Sequence, residues 1–235
     1  MGELRQQKSL EGGLSFARHE RDPDDGAPLY DYRFRRLLPA DDWAALPETV
    51  RRRFSKRLTG LRLAIYRGEI IASERTPAGW VFAQLCRVIG APLPLSGDVG
   101  VAAVVTVGED HRGGQCWTRH YARRHGFPQV IHSAKRFAGE TGLEEHVGGG
   151  VGMTLNIAAR PDGLTFHSAD YFWQFGGHRW RLPAWLCPGA LTIDHIDIGS
   201  GEFLFTLTLH HRWFGEIMHQ VGRFRDPAPG EGDLS

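Results

Sequence analysis

The feature that most constrains the fold is a change in the spacing of apolar residues near Val99. Upstream of it, apolar residues recur every three or four positions, as in helices; downstream, they alternate with polar residues, as in half-buried strands. Gly, Pro and Asp-Gly turns divide the downstream part into nine segments, at about 99–108, 115–122, 128–137, 142–147, 151–160, 163–175, 190–198, 202–211 and 215–224. Asp162-Gly163 is the clearest two-residue hairpin turn. We predict an α+β fold in which eight to ten antiparallel strands form a strongly curved sheet or an incomplete β-barrel, since an open sheet of that size would leave long unpaired edges.

The upstream part predicts short N-terminal helices and one longer helix. Asp41 can cap one short helix and Pro47 can open the next, which places Trp43, Leu46, Val50 and Phe54 on one face. The longer helix is predicted over 78–89, with an apolar face formed by Val81, Leu85, Val88 and Ile89 and a stop at Gly90 and Pro92. We expect this helix to pack against the sheet and to plug its open end.

Both ends of the chain are rich in Gly, Pro and charged residues and poor in large apolar ones. Burial there would not offset the entropy lost on ordering. We therefore predict a disordered leader over 1–28, a single α+β domain over 29–225 and a disordered tail over 226–235.

Composition excludes several classes of protein. The chain has 28 Lys and Arg against 27 Asp and Glu, and a net charge of +1 does not favour binding to nucleic acid. No apolar run approaches the ~18 residues of a membrane-spanning helix, and the first 25 residues lack the apolar block of a secretory signal. Three cysteines without a C-x-x-C pair indicate neither a disulfide framework nor a zinc site. We expect a cytoplasmic protein with no membrane span and no nucleic-acid partner.

Strand alternation indicates which side chains share a wall of the sheet. Trp117, Arg119 and Tyr121 project to one side of their strand. In a later strand, His195 and Asp197 share a face with Leu191 and Ile193 and lie about 7 Å apart. An Arg and a His-Asp pair in mid-strand are more typical of a concave surface that holds water or a ligand than of a wholly apolar core.

Aromatic residues are concentrated late in the chain, with eleven between Phe166 and Phe214, Trp173 among them. Such a set can fill the core entirely. It can also form the rigid walls of a partly open cavity for an apolar or aromatic molecule. The sequence leaves both possibilities open.

Other patterns carry less chemistry. The glycine-rich run at Gly148 lacks the spacing and the following helix of a dinucleotide-binding loop, so we interpret it as a turn or bulge between strands. Six basic residues and no acidic one lie between His111 and Gly139, which suits either an anion site or a solvated hairpin face near Glu140, Glu144 and Glu145. No cofactor-binding or metal-binding residues are predicted.

Short motifs resemble, in their order along the chain, those of the bacterial family called domain of unknown function 4166. These are Phe34-Arg-Arg-Leu-Leu, Trp43, Leu46-Pro47, Arg67-Gly68, Gly90-Ala-Pro-Leu-Pro, Trp117-Thr-Arg, Gly142-Leu-Glu-Glu, Gly163-Leu, Arg181-Leu-Pro-Ala-Trp-Leu-Cys-Pro-Gly, Trp213-Phe-Gly and Gly222-Arg-Phe. The resemblance covers about Tyr32 to Phe224. In that family the domain occurs alone or fused behind a saccharopine-dehydrogenase-like domain, which implies a role near the redox metabolism of small molecules. It assigns no activity and no catalytic residues.

Three hypotheses about function follow. The first is a cytosolic domain that binds a small apolar or aromatic molecule, with or without a carboxylate, on the concave face, with Arg119 as anion partner and Trp117, Tyr121, Trp173, His195 and Asp197 as further site residues. The second is an enzyme or accessory subunit that acts with a separate saccharopine-dehydrogenase-like reductase, with His195 and Asp197 in acid-base roles. The third is a protein-interaction domain that pairs through an exposed strand edge.

Overall fold

The computed structural model describes residues 30–59 and 62–227. This part of the chain contains three α-helices, α1 (Ala40–Ala45), α2 (Glu48–Phe54) and α3 (Pro77–Leu85), and short 3-10 segments at Arg35–Leu37 and Cys86–Ile89. The second of these continues α3, so that one helical stretch runs from Pro77 to Ile89. The predicted leader lies outside the described residues, as does most of the predicted tail.

Eleven β-strands make up about half of the described chain. They are β1 (Ala64–Arg75), β2 (Val101–Glu109), β3 (Gln115–Tyr121), β4 (Gln129–Arg136), β5 (Glu144–Gly148), β6 (Val151–Arg160), β7 (Gly163–Phe175), β8 (His178–Arg181), β9 (Ala190–Gly199), β10 (Glu202–His211) and β11 (Gly215–Arg225). All nine predicted segments are strands, and the glycine-rich run at Gly148 is the predicted turn with a bulge, between β5 and β6.

Ten of these strands form a closed antiparallel barrel, which confirms the predicted curved sheet. Each strand pairs with its neighbours in the order β1 to β7, then β9, β10 and β11, and β11 pairs back onto β1. β8 lies outside the ring, paired with the far end of β7. Closure removes the open edges of the ten barrel strands, so the strand edge that an interaction domain would use is limited, among the described strands, to β8.

The N-terminal helices close one end of the barrel. Phe34 packs edge-on against Phe54 and Phe137, with ring centroids 5.1 Å and 4.9 Å apart. Arg53 of α2 fastens this end through its guanidinium, which donates to Asp226 at 2.7 Å and to Asp197 at 2.9 Å. Trp43, Leu46, Val50 and Phe54 are all buried, as their spacing predicted.

Helix α3 lies at the opposite end and packs through a different face from the predicted one. Thr76 caps it, accepting a hydrogen bond from the Gly79 amide, and its contacts with the barrel run through Gly79, Phe82, Ala83 and Cys86. A Cβ at Gly79 would lie 2.0 Å from the Ile217 carbonyl oxygen, so only glycine permits this approach. The predicted face is wrong, because Val81, Leu85 and Val88 are exposed. The capping prediction for Asp41 is also wrong, since Pro39 occupies the N-cap of α1.

Candidate functional site

The half of the barrel interior next to α3 contains a cavity of about 880 Å³. Its strand walls come from alternate residues of seven neighbouring strands, β3 to β7, β9 and β10, which is the two-residue period expected for inward-facing positions. Most of the lining is aliphatic or aromatic; Ile131, Met153, Leu191, Ile193, Leu207 and Leu209 are representative. We call this space the upper cavity.

The upper cavity opens beside α3. Leu85, Val88, Trp173, Trp185 and Leu186 line it and are also exposed to solvent. A residue can have both properties only where the cavity meets the surface. The opening is therefore apolar, and we call this end of the barrel the mouth.

A second, much smaller cavity of about 30 Å³ lies deeper, toward α2. Arg119 and Phe205 line both cavities, so these two side chains separate them and form the floor of the upper one. Arg53, Trp117 and His195 also line the small cavity. Arg53 Nη1, Trp117 Nε1 and His195 Nδ1 are buried and have no hydrogen-bond partner among the described residues, and the cavity that these three side chains line is large enough to hold a water molecule.

Arg119 belongs to a buried ionic cluster with Ser133, Lys135 and Glu145. Its guanidinium donates to Ser133 Oγ at 3.1 Å and lies 3.5 Å from Glu145 Oε1, while Lys135 Nζ donates to Glu145 Oε2 at 3.1 Å. Lys135 and Glu145 are direct cross-strand partners in the β4–β5 register. Arg119, Ser133 and Glu145 face the upper cavity.

The electrostatics of this cluster favour the ionised carboxylate. Burial alone would raise the pKa of Glu145, but Lys135, Arg119 and the hydrogen bond from Ser133 outweigh burial and lower that pKa to about 2. Burial lowers the pKa of Lys135, against the opposing attraction of Glu145. Two basic side chains thus share one carboxylate in a site that water barely reaches, which leaves the cluster able to accept a further negative charge.

The six predicted site residues divide among the upper cavity, the small cavity and a position that lines neither. Arg119 and Tyr121 line the upper cavity, Trp117 lines the small one, and all three point inward as the alternation of β3 predicted. Trp173 lies at the mouth, stacked on Trp180 with ring centroids 5.3 Å apart.

His195 and Asp197 lie deeper, toward α2. His195 is packed between rings, 4.4 Å from Phe203 and 5.0 Å from Phe54. Burial and the nearby Arg53 lower its pKa to about 3, so the ring is neutral at physiological pH. Asp197 lines neither cavity, and its carboxylate accepts from Arg53. The two side chains therefore have different partners: rings surround His195, and a guanidinium holds Asp197.

Sequence reasoning missed Ser133, Lys135 and Glu145 as members of the site. The two-residue period of β4 could have indicated the residues of that strand. Ile131, Ser133 and Lys135 are two positions apart, so the serine and the lysine share the inward face of an apolar residue. The basic run that contains Lys135 divides between the two faces of the wall. Arg119 and Lys135 are buried inside, whereas Arg136 pairs with Asp110 on the outside.

Comparison with known proteins bears on this barrel as a whole. The model of the family described as Domain of unknown function (DUF4166) matches residues 46–224. The chain belongs to this family. The match covers ten of the eleven strands completely and all but the last residue of β11, and it confirms the resemblance carried by the short motifs. Searches of curated proteins and of solved structures found no match.

Two further findings concern the described part of this DUF4166 domain. None of the helices within residues 30–59 and 62–227 combines the length and the hydrophobicity needed to cross a bilayer. Over the same residues, no three His, Cys, Asp or Glu side chains are grouped so that they could hold a metal ion. The upper cavity with its ionic floor is the candidate site.

Proposed function

We propose that this domain binds one amphipathic small molecule, with its apolar body in the upper cavity and an anionic head at Arg119. One observation carries the proposal: a cavity of about 880 Å³ has almost entirely apolar walls and a floor formed in part by a buried Arg. The volume lies within the range of about 300 to 1,000 Å³ that is typical of small-molecule sites.

The apolar wall supports an apolar ligand body. The apolar side chains of this wall form no strong hydrogen bonds with water, so a ligand that displaces water from them gains the free energy of hydrophobic burial. The mouth beside α3 is wide enough to expose five lining residues, and it gives such a ligand a route inward. An apolar molecule would then lie along the strands, with its far end at Arg119.

The ionic floor supports an anionic head. Arg119 and Lys135 share Glu145, and the guanidinium of Arg119 offers N–H donors and no acceptor, so it suits an anion. A ligand carboxylate at the floor of the upper cavity would supply a second acceptor for Arg119 and would be held in a site of low dielectric constant. Phe205 beside Arg119 fixes the guanidinium, whose carbon lies 5.6 Å from the ring centroid.

The test compares ligands that differ only in the head. Long-chain fatty acids, isoprenoid acids and aromatic acids are each paired with the alcohol of the same carbon skeleton, and Kd is measured by thermal shift and calorimetry. A hydrogen bond to a charged group contributes about 1.5 to 3 kcal/mol, so we expect wild type to prefer the acid by roughly 10- to 150-fold.

Arg119→Met should abolish this preference while leaving the affinity for the alcohol largely unchanged. Alcohol binding by the variant also shows that it is folded. Arg112→Met, which removes an exposed Arg at the other end of the barrel, is the matched control and should keep the preference. If no acid or alcohol in the panel stabilises the wild-type protein, or if Arg119→Met still prefers acids, the proposed function is wrong.

A further inference from the structure

Exposed apolar residues are concentrated at the mouth of the barrel. Because neighbouring strands are antiparallel, the connections at 76–100, 122–128, 149–150, 176–189 and 212–214 all lie at this one end. Exposed rings and large aliphatic side chains occur in four of the five, and the end of β7 adds Trp173 and Phe175. Phe127 is 90% exposed and Trp213 is 61% exposed, at the tips of two different connections.

We call these five connections, together with the end of β7, the rim. The rim extends beyond the residues that line the upper cavity. Phe127, Phe175 and Trp213 do not line the upper cavity, yet they are exposed at the same end of the barrel as Trp185 and Leu186, which do. On the β7–β8 hairpin, Trp173 stacks on both Phe175 and Trp180, so the exposed rings form an ordered surface. Apolar surface of this extent is uncommon on a protein that contacts only water, and it marks a surface that binds something else.

The same connections carry an excess of positive charge. They contain six Arg and one acidic residue, Asp98, although the whole chain has a net charge of only +1. Arg179 and Arg181 are paired with Glu144 and Asp170. The connections then contain four further arginines and a single acidic residue, Asp98, so the rim is locally cationic. These arginines are Arg87, Arg123, Arg124 and Arg212.

We propose that the rim docks on the surface of an anionic lipid bilayer, with its aromatic tips in the interfacial region and its arginines near the headgroups. Trp and Phe beside Arg, with hardly any acidic residue, suit that interface better than a protein groove, since the residues come from several tips around an opening. The bilayer is also a source of apolar molecules next to the mouth. Docking itself does not require that the cavity hold a ligand.

The experiment is co-sedimentation of the full chain with vesicles of phosphatidylcholine alone and of phosphatidylcholine mixed with phosphatidylglycerol. We expect binding to the mixed vesicles that weakens at high salt. The double variant Phe127→Ser, Trp213→Ser should bind roughly tenfold more weakly or worse, because it removes two interfacial rings.

A matched control replaces two exposed isoleucines of the barrel wall, Ile71→Ser and Ile198→Ser, and should bind like wild type. The rim variant should keep the ligand preference of wild type, because neither changed residue lines the cavity. Failure of docking and failure of ligand binding are therefore separate results.

Three outcomes would overturn the proposal. The first is wild-type protein that sediments with neither vesicle, or equally with both at low and high salt. The second is a loss of binding in the isoleucine variant as large as in the rim variant. The third is a wild-type dimer that the rim variant dissociates, which would show that a second copy of the chain covers the rim.

Discussion

Replacing Glu145 by Gln tests whether the buried cluster is organised around one ionised carboxylate. The substitution keeps the size of the side chain but removes the charge that Lys135 Nζ contacts at 3.1 Å and Arg119 at 3.5 Å. Both cations then remain buried without an anion. Removing one partner of a buried ion pair costs about 3 to 5 kcal/mol, because the charge that remains is not compensated.

The pKa of Glu145 gives a second estimate of the stability lost in Glu145→Gln and determines how that loss depends on pH. A fall from 4.5 when unfolded to about 2 when folded corresponds to about 3 kcal/mol of stability. The folded pKa is the lower one, so this contribution is fully present above pH 4.5 and is lost as the pH falls toward 2. The difference in unfolding free energy between wild type and Glu145→Gln should therefore be about 3 kcal/mol at pH 7 and should shrink below pH 4.5.

Urea unfolding at a series of pH values measures this difference directly. Glu140→Gln is the control, since Glu140 is exposed on the neighbouring loop and should change stability little at any pH. A destabilisation by Glu145→Gln that stays the same from pH 7 to pH 3 would refute the electrostatic reasoning, because loss of packing does not titrate. A variant as stable as wild type at pH 7 would refute it as well.

Three further predictions concern the upper cavity, the small cavity and the turn at Gly150. Leu207→Trp should fill the upper cavity and abolish the thermal shift given by the best-binding acid, whereas Leu204→Trp, on the outer face of the same strand, should preserve it. Because the folded pKa of His195 is about 3, wild type should lose stability as the pH falls from 6.5 toward 3, and urea unfolding of His195→Phe should show a flatter profile over that range. Gly150→Ala should destabilise more than Gly201→Ala in urea, since both have positive φ but only at Gly150 would a Cβ meet a backbone oxygen, at 2.2 Å.

The sequence predicted most of the barrel because alternation and turn residues are local signals. Two strands, β1 and β8, were not predicted. In β1 the apolar alternation of Ala64, Tyr66 and Ile70 is broken by Gly68, where a Cβ would lie 2.0 Å from the Arg223 carbonyl oxygen, and by a bulge after Ile70. Strand β8 is four residues long and all four residues are exposed, so it has no buried face to give a pattern.

Part of the site was predictable and part was not. Alternation placed Arg119 and Tyr121 inside because it depends only on one strand. The ionic cluster depends on the register between β4 and β5, which pairs Lys135 with Glu145 across a loop, and a single sequence does not reveal that register. The face through which α3 packs was mispredicted for a similar reason, since the close approach at Gly79 decides which side faces the barrel.

The cavity follows from the number of strands and from what enters the barrel at each end. Eight strands leave an interior that side chains just fill, so ten strands enclose more space than their own residues occupy. At the lower end, Phe34 and Phe54 fill the excess. At the upper end, α3 packs through Gly79 and Ala83 beside the opening and contributes little volume to the interior.

The ionic cluster lies at the boundary between the filled half and the open half. It is therefore shielded from bulk water, which strengthens its interactions, yet a ligand that enters through the mouth reaches Arg119 directly. Selectivity for a charged head is thus a property of the barrel wall, and changes in the mouth connections should alter entry more than they alter that selectivity.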